Sequence, residues 1–432
     1  MTTELTRFTH WARTQPQRRY TSLMGMLADE DGLAESFHRQ DGRKAVGIDG
    51  VRKEVYAEDL LGNLADLSAR VRRLGYRPQP ARRVYIPKAS GGRRPLGIPS
   101  FEDRLVQDRL SRILEAIWEP EFRDCSFGFR PGRNAHQALT RLDYLVEEQR
   151  TQWIVEADIK GFFDHVSHDH LMRFVSHRIG DTNLLRLIRR MLKAGHTEAG
   201  QFTASERGTP QGGLASPILA NLYLHYVLDL WFEKRVAGHC EGKAFLVRYC
   251  DDFVACFSQE KDAREFEQQL IDRLNDFDLE VEPSKAALLR FGDLARAACR
   301  RVGQKKPATF NFLGFTHYLT CVHGWRVRVR RKTQRERFYG KLNELKRRLM
   351  KMRALPIQPI LAYARRHLRG HIQYYGVSGN FRSLHRYRRQ LCRILYKCLN
   401  RRSQRRSFTW DRFGAWFELW FPKVAIVHRW ST

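Results

Sequence analysis

Residues 245–249 and 253–257 are two short apolar, strand-prone runs, and only Cys250, Asp251 and Asp252 separate them. A connection this short between two such runs predicts a hairpin, with the two acids at its turn. That is a costly arrangement. Two unit charges 4 Å apart repel by about 4 kcal/mol at an effective dielectric near 20. A third acid, Asp158, ends another apolar run, Trp153-Ile-Val-Glu-Ala-Asp158. If the two strand elements are neighbours, three carboxylates meet at one sheet edge, and bound divalent cations are the usual way to hold them there. Oxygen-only ligands favour Mg²⁺. Two such ions about 3.5–4 Å apart suit in-line phosphoryl transfer. Spacing alone does not bring Asp158 to the hairpin, so unconnected turn acids remain an equal reading.

The charge points to a polyanion. The 432 residues carry a net charge of +30. That is far more than solubility requires, and self-repulsion makes it costly; nucleic acid is the default partner. The charge is concentrated. Residues 326–406 hold 26 Lys or Arg against two acids, Glu336 and Glu344, which leaves +24 of the +30 there. The body before it is nearly balanced. No apolar run reaches about 18 residues, so no membrane-spanning helix is expected. Residues 1–20 are polar and basic, without a secretory signal pattern. The eight Cys are scattered without a Cys-x-x-Cys pair, which argues against zinc and disulfide scaffolds and for a reducing, cytoplasmic setting.

The length predicts two to three domains. Residues 1–75 read as helical, broken at Gly47-Ile-Asp-Gly50. A strand is expected at 82–86, and helices at 101–118, 184–192, 215–232 and 263–277. Further strands are expected at 310–319 and 325–329. In the basic segment three apolar seams recur at helical spacing. They are Phe338, Leu342, Leu345, Leu349 and Met352; then Ile360, Ala364, Leu368 and Ile372; then Leu384, Tyr387, Leu391, Ile394 and Cys398, with Ser383 as N-cap. Ordinary solvated helix faces mix charge signs. These hardly do, which predicts a bundle with a cationic surface.

Two loops carry further signals. Lys88 and Arg94 flank a Gly-rich turn, which suits a triphosphate and equally a plain basic turn. Gly208-Thr-Pro-Gln-Gly-Gly213 is poor in side chains and leads into a helix. Its glycines allow close backbone approach to a ligand, with Gln211 offering a donor and an acceptor; the alternative is a connector.

These pieces occur in a specific order. Gly47-Ile-Asp-Gly50 is followed by Ile86-Pro-Lys-Ala-Ser-Gly-Gly-Arg-Arg-Pro-Leu-Gly-Ile-Pro99 and Ser126-Phe-Gly-Phe-Arg-Pro-Gly132. Then come Asp158-Ile-Lys-Gly-Phe-Phe163, Thr209-Pro-Gln-Gly-Gly213, Tyr249-Cys-Asp-Asp252 and Phe312-Leu-Gly-Phe315. Leu368-Arg-Gly-His-Ile-Gln-Tyr-Tyr-Gly376 and Asn400-Arg-Arg-Ser403 follow. From about residue 40 onward the chain resembles the group II intron-encoded reverse transcriptase and maturase family.

The resemblance implies an α+β right-hand polymerase, with fingers and an antiparallel palm sheet followed by an all-helical thumb or maturase bundle. Its expected divisions are 1–75, 76–325 and 326–432. Asp158, Asp251 and Asp252 would hold two Mg²⁺ ions. Lys88 and Arg94 would contact the triphosphate, Gln211 would lie against the incoming dNTP, and Phe163 would exclude a ribose 2′-OH. Lys285 is a weaker candidate for protonating pyrophosphate, with a surface lysine as the alternative. The basic helices, through Arg347, Arg348, Arg365, Arg366, Arg388, Arg389, Arg401 and Arg402, would grip intron RNA, the RNA template and the DNA primer or target.

The chain departs from the pattern at Cys250, where Ala is usual, and at His165, where Asn is common. It also shows no C-terminal Cys-pair and His-Asn-His segment, so no endonuclease domain is expected, as in the compact bacterial type. Three other readings stay open: a relative freed from its intron for DNA repair or phage defence, an RNA-dependent RNA polymerase, and a splicing-only RNA-binding maturase.

Overall fold

The computed structural model describes residues 3–87, 92–283, 286–322, 326–402 and 408–429. The chain forms two compact units. The first takes in residues up to Pro87, Arg93–Ala138 and Ile154–Leu288; the second takes in chiefly Leu139–Trp153 and Leu289 onward.

In the first unit, the helix Phe101–Trp118 is central. It has the bounds its spacing predicts, with Ser100 capping the Asp103 amide. Leu105, Leu110, Ile113, Leu114 and Trp118 are fully buried along it. The N-terminal helices Thr3–Thr14 and Glu30–Arg39 pack on it.

Two four-stranded sheets complete this unit. One is ordered β2-β1-β4-β5, from β1 (Ala81–Pro87), β2 (Arg93–Ile98), β4 (His196–Glu198) and β5 (Gln201–Thr203). The other is ordered β6-β7-β3-β8, from β3 (Trp153–Asp158), β6 (Ala244–Tyr249), β7 (Asp252–Phe257) and β8 (Ala287–Arg290). Phe253 to Phe257 is an unbroken apolar run because every one of its side chains is buried. Phe257 packs on Phe266 of the helix Glu260–Asn275, ring centroids 5.3 Å apart.

The helix expected over 215–232 is only partly regular. Ser216–Leu224 is α-helical, and the chain then widens into π-helical turns at His225–Asp229 and Phe232–Val236. Such turns often mark functional sites, and here the first ends on Asp229, whose carboxylate meets a buried arginine.

In the second unit, β9 (Phe310–Phe312), β10 (Phe315–Val322) and β11 (Arg326–Thr333) form a sheet ordered β11-β10-β9. The single strand expected at 310–319 is two strands. Leu313 and Gly314 take positive φ angles, +51° and +76°, and turn the chain back on itself.

Helices Arg335–Lys351, Ile357–Tyr375 and Phe381–Asn400 follow, and their apolar seams form one core. Met352 and Ile394 are only partly buried at its edge. Ser383 is not an N-cap, because the third helix begins at Phe381. Asn380 precedes it and is held instead by Thr333 and the Tyr375 carbonyl. A fourth helix, Trp410–Trp420, closes the core with Phe413 and Phe417. Its central Gly414 and aromatic content, both poor helix formers, hide it from sequence reading. Among the described residues no helix is long and apolar enough to cross a membrane, and all eight cysteines are free.

Candidate active site and nucleic-acid interface

The predicted hairpin forms. Strands β6 and β7 pair antiparallel from Ala244↔Phe257 to Tyr249↔Asp252, leaving Cys250 and Asp251 as a two-residue turn. Cys250 has φ +60°, the left-handed conformation that such turns require. Burial, then the Asp251 charge, pushes its thiol up to about 12, so it stays protonated.

The turn is held from below by Arg248, whose side chain is wholly buried. Its Nε and Nη2 donate to the two oxygens of Asp229, at 2.7 and 2.5 Å. Nη1 donates to Asn221 Oδ1 and to the Cys250 carbonyl, and Nη2 also donates to Ser126 Oγ. All five N–H groups are thereby used. Gly128 lies against the same turn: a Cβ there would stand 2.4 Å from both the N and Sγ of Cys250. Asn221 donates to the Gly128 carbonyl at 2.7 Å. The segment 126–128 is thus a brace for the acidic turn. Sequence reasoning missed Arg248, Asp229 and Asn221. The available signal was a charged residue inside each of two otherwise apolar runs.

Strand β3, which ends on Asp158, lies beside β7. Asn221 shares Nη1 of Arg248 with the Cys250 carbonyl. Two residues further along its helix, the Tyr223 ring lies 6.2 Å from that of Phe162, just past β3. The far end of β7 instead meets Phe232, with Phe257 6.1 Å away. The start of β7 and the exit of β3 therefore lie over the same stretch of helix, and Asp158 is at the sheet end that carries Asp251 and Asp252. All three acids are half-buried. Their side chains are not gathered into a finished cage: among the described residues no group of three or more His, Cys, Asp or Glu stands ready to hold a metal ion.

The loop with Gln211 docks beside them. Thr209 N donates to the Phe163 carbonyl and Gly208 N to the Val166 carbonyl, each at 2.8 Å. Gly208, at φ +84°, sits where a Cβ would be 2.8 Å from the Phe163 carbonyl oxygen. Gln211 Nε2 donates to both Asp164 oxygens, at 3.1 and 3.2 Å. The Gln211 carbonyl accepts from Gly97 N of β2 at 2.6 Å. This same strand carries the exposed Arg94, paired in register with Ile86. Phe163, Gln211 and the Arg94 strand are thus brought together. His165 hydrogen-bonds within its own turn, to Gly161 O. Lys88 and Lys285 lie outside the described residues.

Of the basic-helix candidates, Arg347, Arg348, Arg366, Arg389, Arg401 and Arg402 are exposed. Arg402 also donates to the Leu355 carbonyl. Arg365 is half-buried over the rings of Trp420 and Phe421. Arg388 is a correction. It is buried, ion-paired to Glu418, bonded to the Pro422 carbonyl and laid over Phe417. Its position on the third seam's flank turned it inward, so it belongs to the core and not to the cationic surface.

Residues 86–317 match the family described as reverse transcriptase (RNA-dependent DNA polymerase). That is more than half of the chain, and the chain belongs to this family. Within it, the chain is 38% identical over 234 residues to protein YkfC of Escherichia coli (strain K12), covering 53% of this chain and 61% of that one. It is 47% identical over 160 residues to the group II intron-encoded protein LtrA of Lactococcus lactis subsp. cremoris, covering 36% of this chain and 26% of LtrA. The chain thus spans less than two thirds of either relative. Among solved structures, telomerase from Candida albicans in complex with a fragment of telomeric RNA aligns at 11% identity and a TM-score of 0.44, covering 85% of this chain and 65% of that one.

Proposed function

We propose that the protein is an RNA-directed DNA polymerase that binds structured intron RNA, assists its splicing and copies it into DNA from a primer at a DNA target. The observation that supports this is that the strand ending on Asp158 lies beside the strand that follows the Asp251–Asp252 turn, in one sheet. On this reading the first unit holds fingers and palm, and the helices after Arg326 form the thumb.

Reverse transcriptase domains generally work with divalent metal ions. The donor set here fits them: three half-buried carboxylates, oxygen only, on adjacent strands, which favours Mg²⁺. Two ions held there would supply charge to activate the primer 3′-oxygen and to offset the leaving pyrophosphate. The chain's own groups do the rest. Arg248 and Gly128 keep the turn rigid, so that the carboxylates are aimed before substrate arrives. Phe163, half-buried beside Phe162 and pinned by Thr209, walls the sugar side and crowds a 2′-OH. Gln211, fixed through Asp164 and Gly97, lies against the incoming nucleotide. Arg94 meets the triphosphate. The exposed arginines of the basic helices track phosphates of the template and intron RNA.

Primer extension on an RNA template with Mg²⁺ tests this. Wild type incorporates dNTPs in preference to rNTPs. Asp251→Asn abolishes synthesis and leaves RNA binding intact. Retained synthesis in that variant would overturn the site.

A further inference from the structure

The first unit carries a second cationic surface, away in sequence from the basic helices. The helix Thr182–Lys193 buries Leu184, Leu187, Ile188, Met191 and Leu192. Its outer side carries Arg186, Arg189, Arg190 and Lys193, and the helix contains no acid. Elsewhere in this unit some cations are paired, as Arg133 is with Asp124, Lys160 with Glu280 and Arg264 with Glu260. Among the described residues Arg186, Arg190 and Lys193 make no ion pair.

Two features flank this stripe. On one side Arg77 and Arg190 both donate to the Leu74 carbonyl, at 2.8 and 3.2 Å. Two guanidinium groups share one neutral oxygen there, and the charges of Arg77 and Arg186, after burial, lower the Arg190 pKa. On the other side is a recess of about 500 Å³, lined by Asp169, Arg173, Ser176, Arg186 and Arg189 among others. Among the described residues Asp169 is its one acid, and it accepts a hydrogen bond from Arg189 at 3.1 Å.

We propose that this stripe, with Arg77 and Arg173 beside it, docks the phosphate backbone of an RNA duplex. The reading concerns a separate surface and goes beyond the polymerase site. From Arg186 to Lys193 the helix rises about 10 Å, the axial span of about three phosphates on one strand. Among the described residues no aromatic side chain lines the recess, so none of them stacks there on unpaired bases; the surface reads backbone. Asp169 repels phosphate but accepts a hydrogen bond, as does Ser176. RNA offers a 2′-OH donor at that position and DNA does not.

The test compares the full chain with its Arg186→Gln/Arg189→Gln/Lys193→Gln variant. Binding to a 20-base-pair RNA duplex, to the DNA duplex of the same sequence and to anionic phospholipid vesicles is measured across a salt series. The expected result is an RNA log–log salt slope shallower by about two to three, with a smaller loss on DNA. Arg189→Lys retains binding. Thermal melting of the triple variant verifies its fold, and if it has not folded, Arg186→Gln alone is read against an RNA slope shallower by about one. Synthesis on a short primed RNA template stays at the wild-type level; a wild type that does not synthesise at all would count against the polymerase reading and leave this binding measurement intact. An unchanged RNA slope, equal losses on RNA and DNA, or a loss confined to vesicles would each overturn the proposal.

Discussion

Arg248 and Asp229 are both fully buried and joined by two hydrogen bonds, with Arg248 also gripping the carbonyl of Cys250 at the acidic turn. The pair therefore serves stability and the site together. Removing one partner of a buried pair costs about 3–5 kcal/mol. Asp229→Ala should lower the unfolding free energy by such an amount, read as a lower denaturant midpoint at unchanged m. Arg248→Lys keeps the charge but loses the forked contact to Ser126, Asn221 and Cys250. It should depress synthesis more than its stability loss accounts for. The check is kcat for primer extension at a temperature where circular dichroism shows the variant folded.

Gly128 tests the brace from the other side. Its Cβ position is blocked by the Cys250 backbone nitrogen, which cannot swing away. Overpacking of this kind typically costs about 1–3 kcal/mol. Gly128→Ala should therefore displace the turn that carries Asp251 and slow nucleotide addition, with RNA affinity unchanged. Measuring both on one preparation separates the two effects.

Buried histidines predict acid sensitivity. Burial holds His371 down to about 3 and His225 down to about 4. His371 stacks on Tyr387 with ring centroids 3.5 Å apart, leaving little room for water. In the unfolded chain each titrates near 6.5. Between these limits the unfolded state binds more protons, so stability is complete above about pH 6.5 and falls as pH drops towards the folded value. At pH 5 each residue removes up to about 2 kcal/mol. His371→Gln should flatten the melting temperature against pH between 7 and 5, even if it lowers the whole curve. A slope equal to wild type would show that His371 is not the acid-sensitive group.

Arg388 and its exposed neighbours should separate cleanly. Arg347→Gln with Arg348→Gln should make the salt dependence of RNA binding shallower by about two and scarcely alter melting. Arg388→Gln should lower the melting temperature through loss of Glu418, Pro422 and Phe417 contacts, and leave the salt slope alone. Fluorescence binding and calorimetry on the same variants decide it.

Local pattern made much of the fold legible. The helix Phe101–Trp118, the strand Trp153–Asp158, the acidic hairpin and the three seams of the basic bundle are where periodicity puts them. Each depends on burial of one face, and burial leaves a period in the sequence. The helix Trp410–Trp420 left none, because its aromatics satisfy both the core and the surface. Charge was legible in bulk and not in detail. The segment after Arg326 stood out, whereas the stripe on Thr182–Lys193 was hidden inside a balanced body. Arg388 could not be told from Arg389 until the helix was seen packed.

By itself, then, the sequence determined most of the elements, the hairpin with Asp251 and Asp252 at its turn, and the ordered motifs that mark the family. Only the tertiary structure decided what those motifs touch. It set Asp158 at the same sheet end as the turn, pinned Gln211 between Asp164 and Gly97, and drove Arg248 through the core to Asp229. The reason is physical. Periodicity and turn chemistry act between residues a few positions apart, while a strand's neighbours and the partners of a buried charge are chosen by packing between distant segments, 19 positions apart for Arg248 and Asp229 and 122 for Arg248 and Ser126, and no local pattern encodes that choice.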